Sequence, residues 1–380
     1  MKNSDSSYRR LQRHLDQMPI PFPATQTGVE LRLLKHLFTP EEAVIALAVS
    51  AIPEPIARIR KRLKGIHLTA EELRASLDRM VEKGAIMGGR SMHRGKAVPA
   101  YGRAPLVIGM FEMQVDRLTG DFVQDFHEYQ DEAFRAQALT KKTTQMRTVP
   151  INVEVGAPFK IGRYDDIRGY LGGTDGPFGV MNCVCRQAQN LSGHACTKSA
   201  TNETCLTIGR AALYMQKRGN ARLVSREEVL TLLDRAERDG LVLQPQNTQT
   251  PTFVCCCCAD CCEVLAGTRG LERPAEFFRT NFQARVDDTR CTGCGACVKR
   301  CPMDAVVVVE DRAQVDMRRC IGCGLCASRC AKKAMGLQPR DWQSVPPRDQ
   351  DAMYRKIMLE RFGPLRLLAK GARISLGMKI

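Results

Sequence analysis

Between Cys291 and Cys330 the chain spells C-x2-C-x2-C-x3-C twice, first as CTGCGACVKRC and then as CIGCGLCASRC. No other stretch limits the fold as strongly. Three thiols inside so short a run can face one point only if the backbone coils into a small concave turn, and glycines lie between the cysteines of both runs. The N–H groups of such a turn face inward and favour an anionic centre. A pair of zinc knuckles or a disulfide framework is the plain alternative. Zinc sites, however, use two C-x2-C pairs or add histidine, rather than two four-cysteine runs in this order. Between the runs, Ala305 to Val309 and Gln314 to Asp316 read as a short hairpin turning at Glu310-Asp311-Arg312.

Residues 280–338 thereby resemble the bacterial-type ferredoxins that carry two 4Fe–4S clusters. Pro302, after the fourth cysteine, fits that pattern. Ala331 departs from it in the second run, where Pro often sits, but Pro is not a ligand. The resemblance implies a ferredoxin-like dicluster C-terminal domain in which the fourth cysteine of each run serves the other cluster. Cys291, Cys294 and Cys297 then go with Cys330, and Cys320, Cys323 and Cys326 go with Cys301.

The 380 residues include 18 cysteines, and the length allows roughly two to four domains. Residues 1–27 are polar, basic and proline-bearing, without the apolar core of a secretory leader. No apolar run is long enough for a membrane span. So many cysteines without a leader point to metal binding in a reducing cytoplasm rather than to disulfides. The net charge of +16 is concentrated in the first 110 and the last 90 residues. Basic ends of this kind steer redox partner proteins that are acidic at their docking surface, unless they are simply solvated.

The expected class is α+β. After a polar extension over 1–27, residues 28–110 read as a winged-helix-like domain. Val29, Leu31, Leu33, Leu34, Leu37 and Phe38 make a helical stripe. Thr39-Pro40-Glu41-Glu42 starts a second helix. Thr69 and Glu72 form the capping box of a helix that ends at Gly84, and two strands flank the tip GGRSMHRGK. Were such a module to bind DNA, the helix over 69–83 would enter the major groove and Arg90, His93, Arg94 and Lys96 would meet phosphates. Glu71, Glu72, Asp78 and Glu82 oppose that, so docking of protein is the favoured role and DNA binding the disfavoured one. Residues 111–165 read as a connecting segment, with Phe122, Phe126, Tyr129 and Phe134 as packing residues on a helix and a strand over 150–155.

Residues 166–275 hold ten further cysteines: Cys183, Cys185, Cys196 and Cys205, then Cys255, Cys256, Cys257, Cys258, Cys261 and Cys262. Helices are expected over 206–218 and 225–238, the second with a Ser225–Glu228 capping box and a Gly240 stop. They make this a helical cysteine-rich middle domain whose hairpin brings the two cysteine groups together. The stretch NCVCR with the later block resembles segments of bacterial multi-cluster iron–sulfur proteins fused ahead of a dicluster ferredoxin, a family without a defined function. All ten cysteines are candidate metal ligands, since thiolates select Fe–S or zinc over hard cations. One allocation gives Cys183, Cys185, Cys196 and Cys205 to one cubane and draws a second from the later block. Interleaved sets, a structural zinc site and spare thiols are the others. One or two further Fe–S clusters are expected here. Arg186 is placed to neutralise a cluster or tune its potential, unless it is exposed, and His194 reads as a loop residue. The tail over 339–380 is basic and amphipathic, and Gly363-Pro364 interrupts it, so wrapping over protein is favoured above lying on a membrane.

No dinucleotide-binding or phosphate-loop glycine motif and no H-E-x-x-H is present. The leading expectation is therefore a multi-cluster iron–sulfur electron-transfer protein, a component of an oxidoreductase system passing single electrons between cytoplasmic partners. An iron–sulfur-dependent DNA-binding redox sensor and a reductase with an active-site cluster in the middle cysteine block are the alternatives.

Overall fold

Capping side chains at Thr39 and Thr69 start two helices where the sequence puts them. The computed structural model describes residues 2–63, 65–93, 95–139, 142–152 and 164–375. The chain divides into two units, residues 1–142 with 354–380, and residues 143–353.

In the first unit, α1 (Lys2–Leu15) is followed by α2 (Val29–Leu37) and α3 (Pro40–Ala46). Thr39 and Glu42 form a reciprocal capping box at α3, with Pro40 in the first turn. β1 (Glu54–Pro55) and α4 (Ile56–Arg60) lead to α5 (Ala70–Glu82), which Thr69 and Glu72 cap in the same way. β2 (Ile86–His93) and β3 (Lys96–Arg103) pair as an antiparallel hairpin, and β1 joins β3, for a sheet order of β1-β3-β2. Arg94, named above for the hairpin tip, lies outside the described residues. α6 (Gly120–Tyr129) and α7 (Arg135–Leu139) follow. Phe122, Phe126, Tyr129 and Phe134 are buried, and Phe126 stacks on Phe111 with centroids 3.9 Å apart.

Two boundaries in this unit differ from expectation. Residues 1–27 are part of its core rather than an extension. Tyr8, Leu11 and Leu15 share one face of α1 and are buried, Tyr8 Oη donates to Phe38 O at 2.7 Å, and Arg9 pairs with buried Glu30 at 2.5 Å. The intervening Arg9, Arg10, Arg13 and His14 make the stretch look merely polar and hide this narrow apolar stripe. Residues 111–142 also belong here. α6 packs on α2, and Arg32 reaches Asp125 at 2.7 Å and Glu128 at 2.6 Å.

In the second unit the order is α8 (Ile167–Gly172), β4 (Phe178–Asn182), α9 (Val184–Leu191), β5 (Glu203–Ile208), α10 (Arg210–Lys217), β6 (Arg222–Val224), α11 (Arg226–Asp239), β7 (Val242–Pro245), β8 (Phe253–Cys257) and α12 (Glu263–Arg269). The five strands form one antiparallel sheet in the order β6-β4-β5-β8-β7. The helical middle domain expected from the sequence is corrected accordingly. Leu206 and Ile208, read as a helix start, bury themselves along β5, and Gly209 at φ +64° turns the chain into the shorter α10. Helix α11 begins at Ser225, which accepts from Glu228 N, and ends at left-handed Gly240, while the Glu228 carboxylate pairs with Arg222 at 2.7 Å.

β9 (Phe282–Val286), α13 (Ala296–Arg300), β10 (Val306–Val309), β11 (Arg312–Val315) and β12 (Met335–Pro339) carry the two cysteine runs. β9 pairs with β12, and β10 with β11 about the Glu310-Asp311 turn. The segments 166–275 and 280–338, expected as separate domains, share a core in which Leu243, Val254 and Cys257 cluster with Met303, Ile321, Cys323 and Leu325. Of the strand expected over 150–155, residues 153–155 lie outside the described residues. Ile151 N donates to Cys323 O at 2.9 Å. Arg147 and Asp165, both buried, pair at 2.5 Å, and Asn281 Nδ2 donates to Asp165 at 2.8 Å. α14 (Gln350–Ser375) is broken at Gly363 before Pro364. Its residues from Tyr354 group with the first unit, where Arg361 meets Asp16 at 3.2 Å. Among the described residues no helix is long and apolar enough to cross a membrane.

Two substitutions test this core assignment. Leu11→Ala, at a fully buried position of α1, costs about 2–5 kcal/mol, read as faster amide exchange through α1, α2 and α3 with the second unit unchanged. Asp165→Asn strands a buried guanidinium and costs about 3–5 kcal/mol, read as a lower denaturation midpoint of the second unit.

Candidate metal centres

The first requirement for a buried anionic centre is donors aimed at its ligands. Ala305 N donates to Cys301 Sγ at 3.2 Å and Ala284 N to Cys320 Sγ at 3.4 Å. Ala313 N reaches Cys291 Sγ at 3.4 Å, and Cys330 Sγ accepts from Ala334 N at 3.2 Å and Met335 N at 3.4 Å. N–H groups aimed at sulfur in this way suit the ligands of an anionic cluster. Cys301, from the first run, lines one small cavity together with Cys320, Cys323 and Cys326 of the second. Cys297 has Cys291 and Cys294 as its thiol neighbours, and Cys330 packs on the same small core. Cys294 is exposed, whereas Cys320, Cys323 and Cys326 are buried.

Burial, followed by neighbouring thiols, pushes the Cys301, Cys323 and Cys326 thiols up. A protein gains nothing by crowding such groups unless a metal replaces their protons. The donor set and the aimed N–H groups thus fit a cluster at each run.

The middle cysteines are sorted by the sheet. Pairing of β5 with β8 sets Cys205 opposite Cys255. Strand alternation sends Cys255 and Cys257 to one face and Cys256 to the other, where it packs with Leu206, Leu232 and Leu241. Cys183 precedes the first turn of α9 and Cys185 lies within it. The thiols of Cys183 and Cys185 are neighbours, and those of Cys205, Cys255, Cys257 and Cys262 lie in another group of neighbours. Beside Cys255 and Cys262, Cys257 is pushed down, and those two neighbours are pushed up. Cys183 has Cys257, and Cys185 has Cys262, among its electrostatic neighbours, which puts the six thiols in one region.

Cys196 stands with other partners. Its Sγ lies 3.7 Å from Cys258 Sγ and 3.8 Å from Asp260 Oδ1, with Cys261 beside them. Cys196 thus finds its nearest partners in the later block, at Cys258, Asp260 and Cys261. The sequence reading missed Asp260, although its place between Cys258 and Cys261 was a signal. Arg186 is buried rather than exposed. Its Nη1 donates to Thr201 O, its Nε and Nη2 have no hydrogen-bond partner, and its charge faces Cys258, Cys183 and Cys196. A guanidinium held this way fits an anionic centre, because its desolvation needs a compensating negative charge. His194 is exposed.

The turns themselves are testable. At Gly322, φ +67°, an added Cβ would run into the carbonyl of Phe282, whereas at Gly295, φ +71°, it would meet open space. Gly322→Ala should lose the iron of one cluster, about four atoms per chain. Gly295→Ala should keep full iron at a cost of about 1–2 kcal/mol. Equal iron in both variants would remove this reading of the turn.

Comparison with known proteins agrees with this chemistry. Residues 283–331 match the family model of the 4Fe-4S dicluster domain. No curated protein and no solved structure matches the chain. The matched domain and the grouped cysteines support an iron–sulfur protein with an electron-transfer role.

Proposed function

We propose that this chain is a multi-cluster iron–sulfur electron-transfer protein with three centres in its second unit. Cys291, Cys294, Cys297 and Cys330 hold an outer 4Fe–4S cluster, and Cys301, Cys320, Cys323 and Cys326 an inner one. A third draws its ligands from Cys183, Cys185, Cys205, Cys255, Cys257 and Cys262. When bound, such clusters take up and return single electrons. The observation that carries the reading is the common cavity of Cys301 with Cys320, Cys323 and Cys326, in a core continuous with the middle thiols.

The order follows from burial. Exposed Cys294 opens the outer end to a partner, and Cys323 shares its core with Cys257 and Cys262. Met303, Ile321 and Leu325 keep that core dry and fix the spacing. In the first unit, the order of helices and strands over 40–103 supports a winged-helix module. Exposed Glu71, Glu72 and Asp78 on α5 favour its use in docking protein over DNA.

The test is anaerobic iron and acid-labile sulfide per chain, with EPR of the reduced protein, on wild type, Cys294→Ser and Cys257→Ser. The expected wild-type content is about twelve irons, and each variant should alter a different EPR signal. About eight irons, with Cys257→Ser silent, would remove the third centre. Fewer than about four would remove the whole reading.

A further inference from the structure

We propose that Cys196, Cys258, Asp260 and Cys261 form a separate, mononuclear site for one zinc-type divalent ion, built from three thiolates and a carboxylate. The four ligand atoms lie within 4.8 Å of one another, with Cys196 Sγ 3.7 Å from Cys258 Sγ and 3.8 Å from Asp260 Oδ1. Zinc–thiolate bonds of about 2.3 Å put tetrahedral sulfurs about 3.8 Å apart, close to the Cys196–Cys258 separation. A cubane carries its thiolates on four separate irons, at the corners of a larger tetrahedron, and needs them further apart.

The local chain is shaped for the task. Cys258 and Cys261 stand in C-x2-C spacing at the end of β8. Asp260 presents Oδ1 to Cys196, while its Oδ2 accepts from Thr197 N at 2.7 Å and Thr197 Oγ1 at 2.9 Å. That is how a monodentate carboxylate ligand is oriented, one oxygen for the metal and the other tied to the protein. Because Thr197 follows Cys196, the same contact fixes the loop that brings the first thiol.

Charge points the same way. A divalent ion with three thiolates and one carboxylate carries a net charge of about −2. The buried Arg186 guanidinium faces Cys258 and Cys196 with Nε and Nη2 unpartnered. Four protein donors leave no open position, so the role is structural: the ion pins the loop bearing Cys196 to the turn between β8 and α12. This site uses none of the cysteines assigned to the three clusters, so it stands or falls independently of the relay.

The experiment measures zinc and iron together on the full chain, purified anaerobically from zinc-supplemented medium, with zinc-edge X-ray absorption. The expected result is about one zinc per chain, with three sulfurs near 2.3 Å and one oxygen near 2.0 Å. Asp260→Ala should weaken zinc retention against a chelator at least tenfold, and Cys258→Ser with Cys261→Ser should abolish it. Iron content and the reduced EPR spectrum, unchanged in both, show that the unit still folds. Wild type without zinc, zinc with an all-sulfur shell, or zinc retained unchanged in both variants would overturn the proposal. Loss of the EPR signals with zinc intact would count against the relay alone.

Discussion

A thiol buried among other thiols has no solvent in which to place a negative charge, and the second unit depends on how that is resolved. Either every sulfur keeps its proton, or a metal takes the proton's place and gains from the low dielectric that penalised the bare thiolate. The N–H groups on Cys291, Cys301, Cys320 and Cys330, and the guanidinium of Arg186, are arranged for the charged alternative. Donors of this kind are wasted on neutral thiols. Packing follows from the same constraint, since apolar Met303, Ile321 and Leu325 share one core with the cysteines.

The two cysteine runs were legible because all their information is local. Spacing, glycine placement and the turn at Glu310-Asp311 need no knowledge of the remaining chain, and the caps at Thr39 and Thr69 and the left-handed stop at Gly240 are equally short-range. What escaped was long-range or ambiguous. The Leu206-Thr207-Ile208 triplet is apolar enough for either periodicity, and the pairing of β5 with β4 and β8 decides for strand. Cys196 finds Cys258 across more than sixty positions, a contact no spacing rule contains. Helix α1 was missed for another reason: three apolar side chains suffice to seat it when Arg9 finds buried Glu30, and composition does not register so thin a stripe.

Strand β8 gives the run of adjacent cysteines its logic. Neighbouring sulfurs cannot all bind one centre without strain, and an extended strand makes that unnecessary by sending alternate side chains to opposite faces. Cys255 and Cys257 join Cys205 and Cys262 on one face, while Cys256 is spent on the hydrophobic core beside Leu232. Where the strand ends, the chain turns, and Cys258, Asp260 and Cys261 leave the ladder for Cys196. One short stretch therefore supplies three different surroundings. Strand alternation separates the first two and the end of β8 sets off the third, with no difference in the chemistry of the side chains.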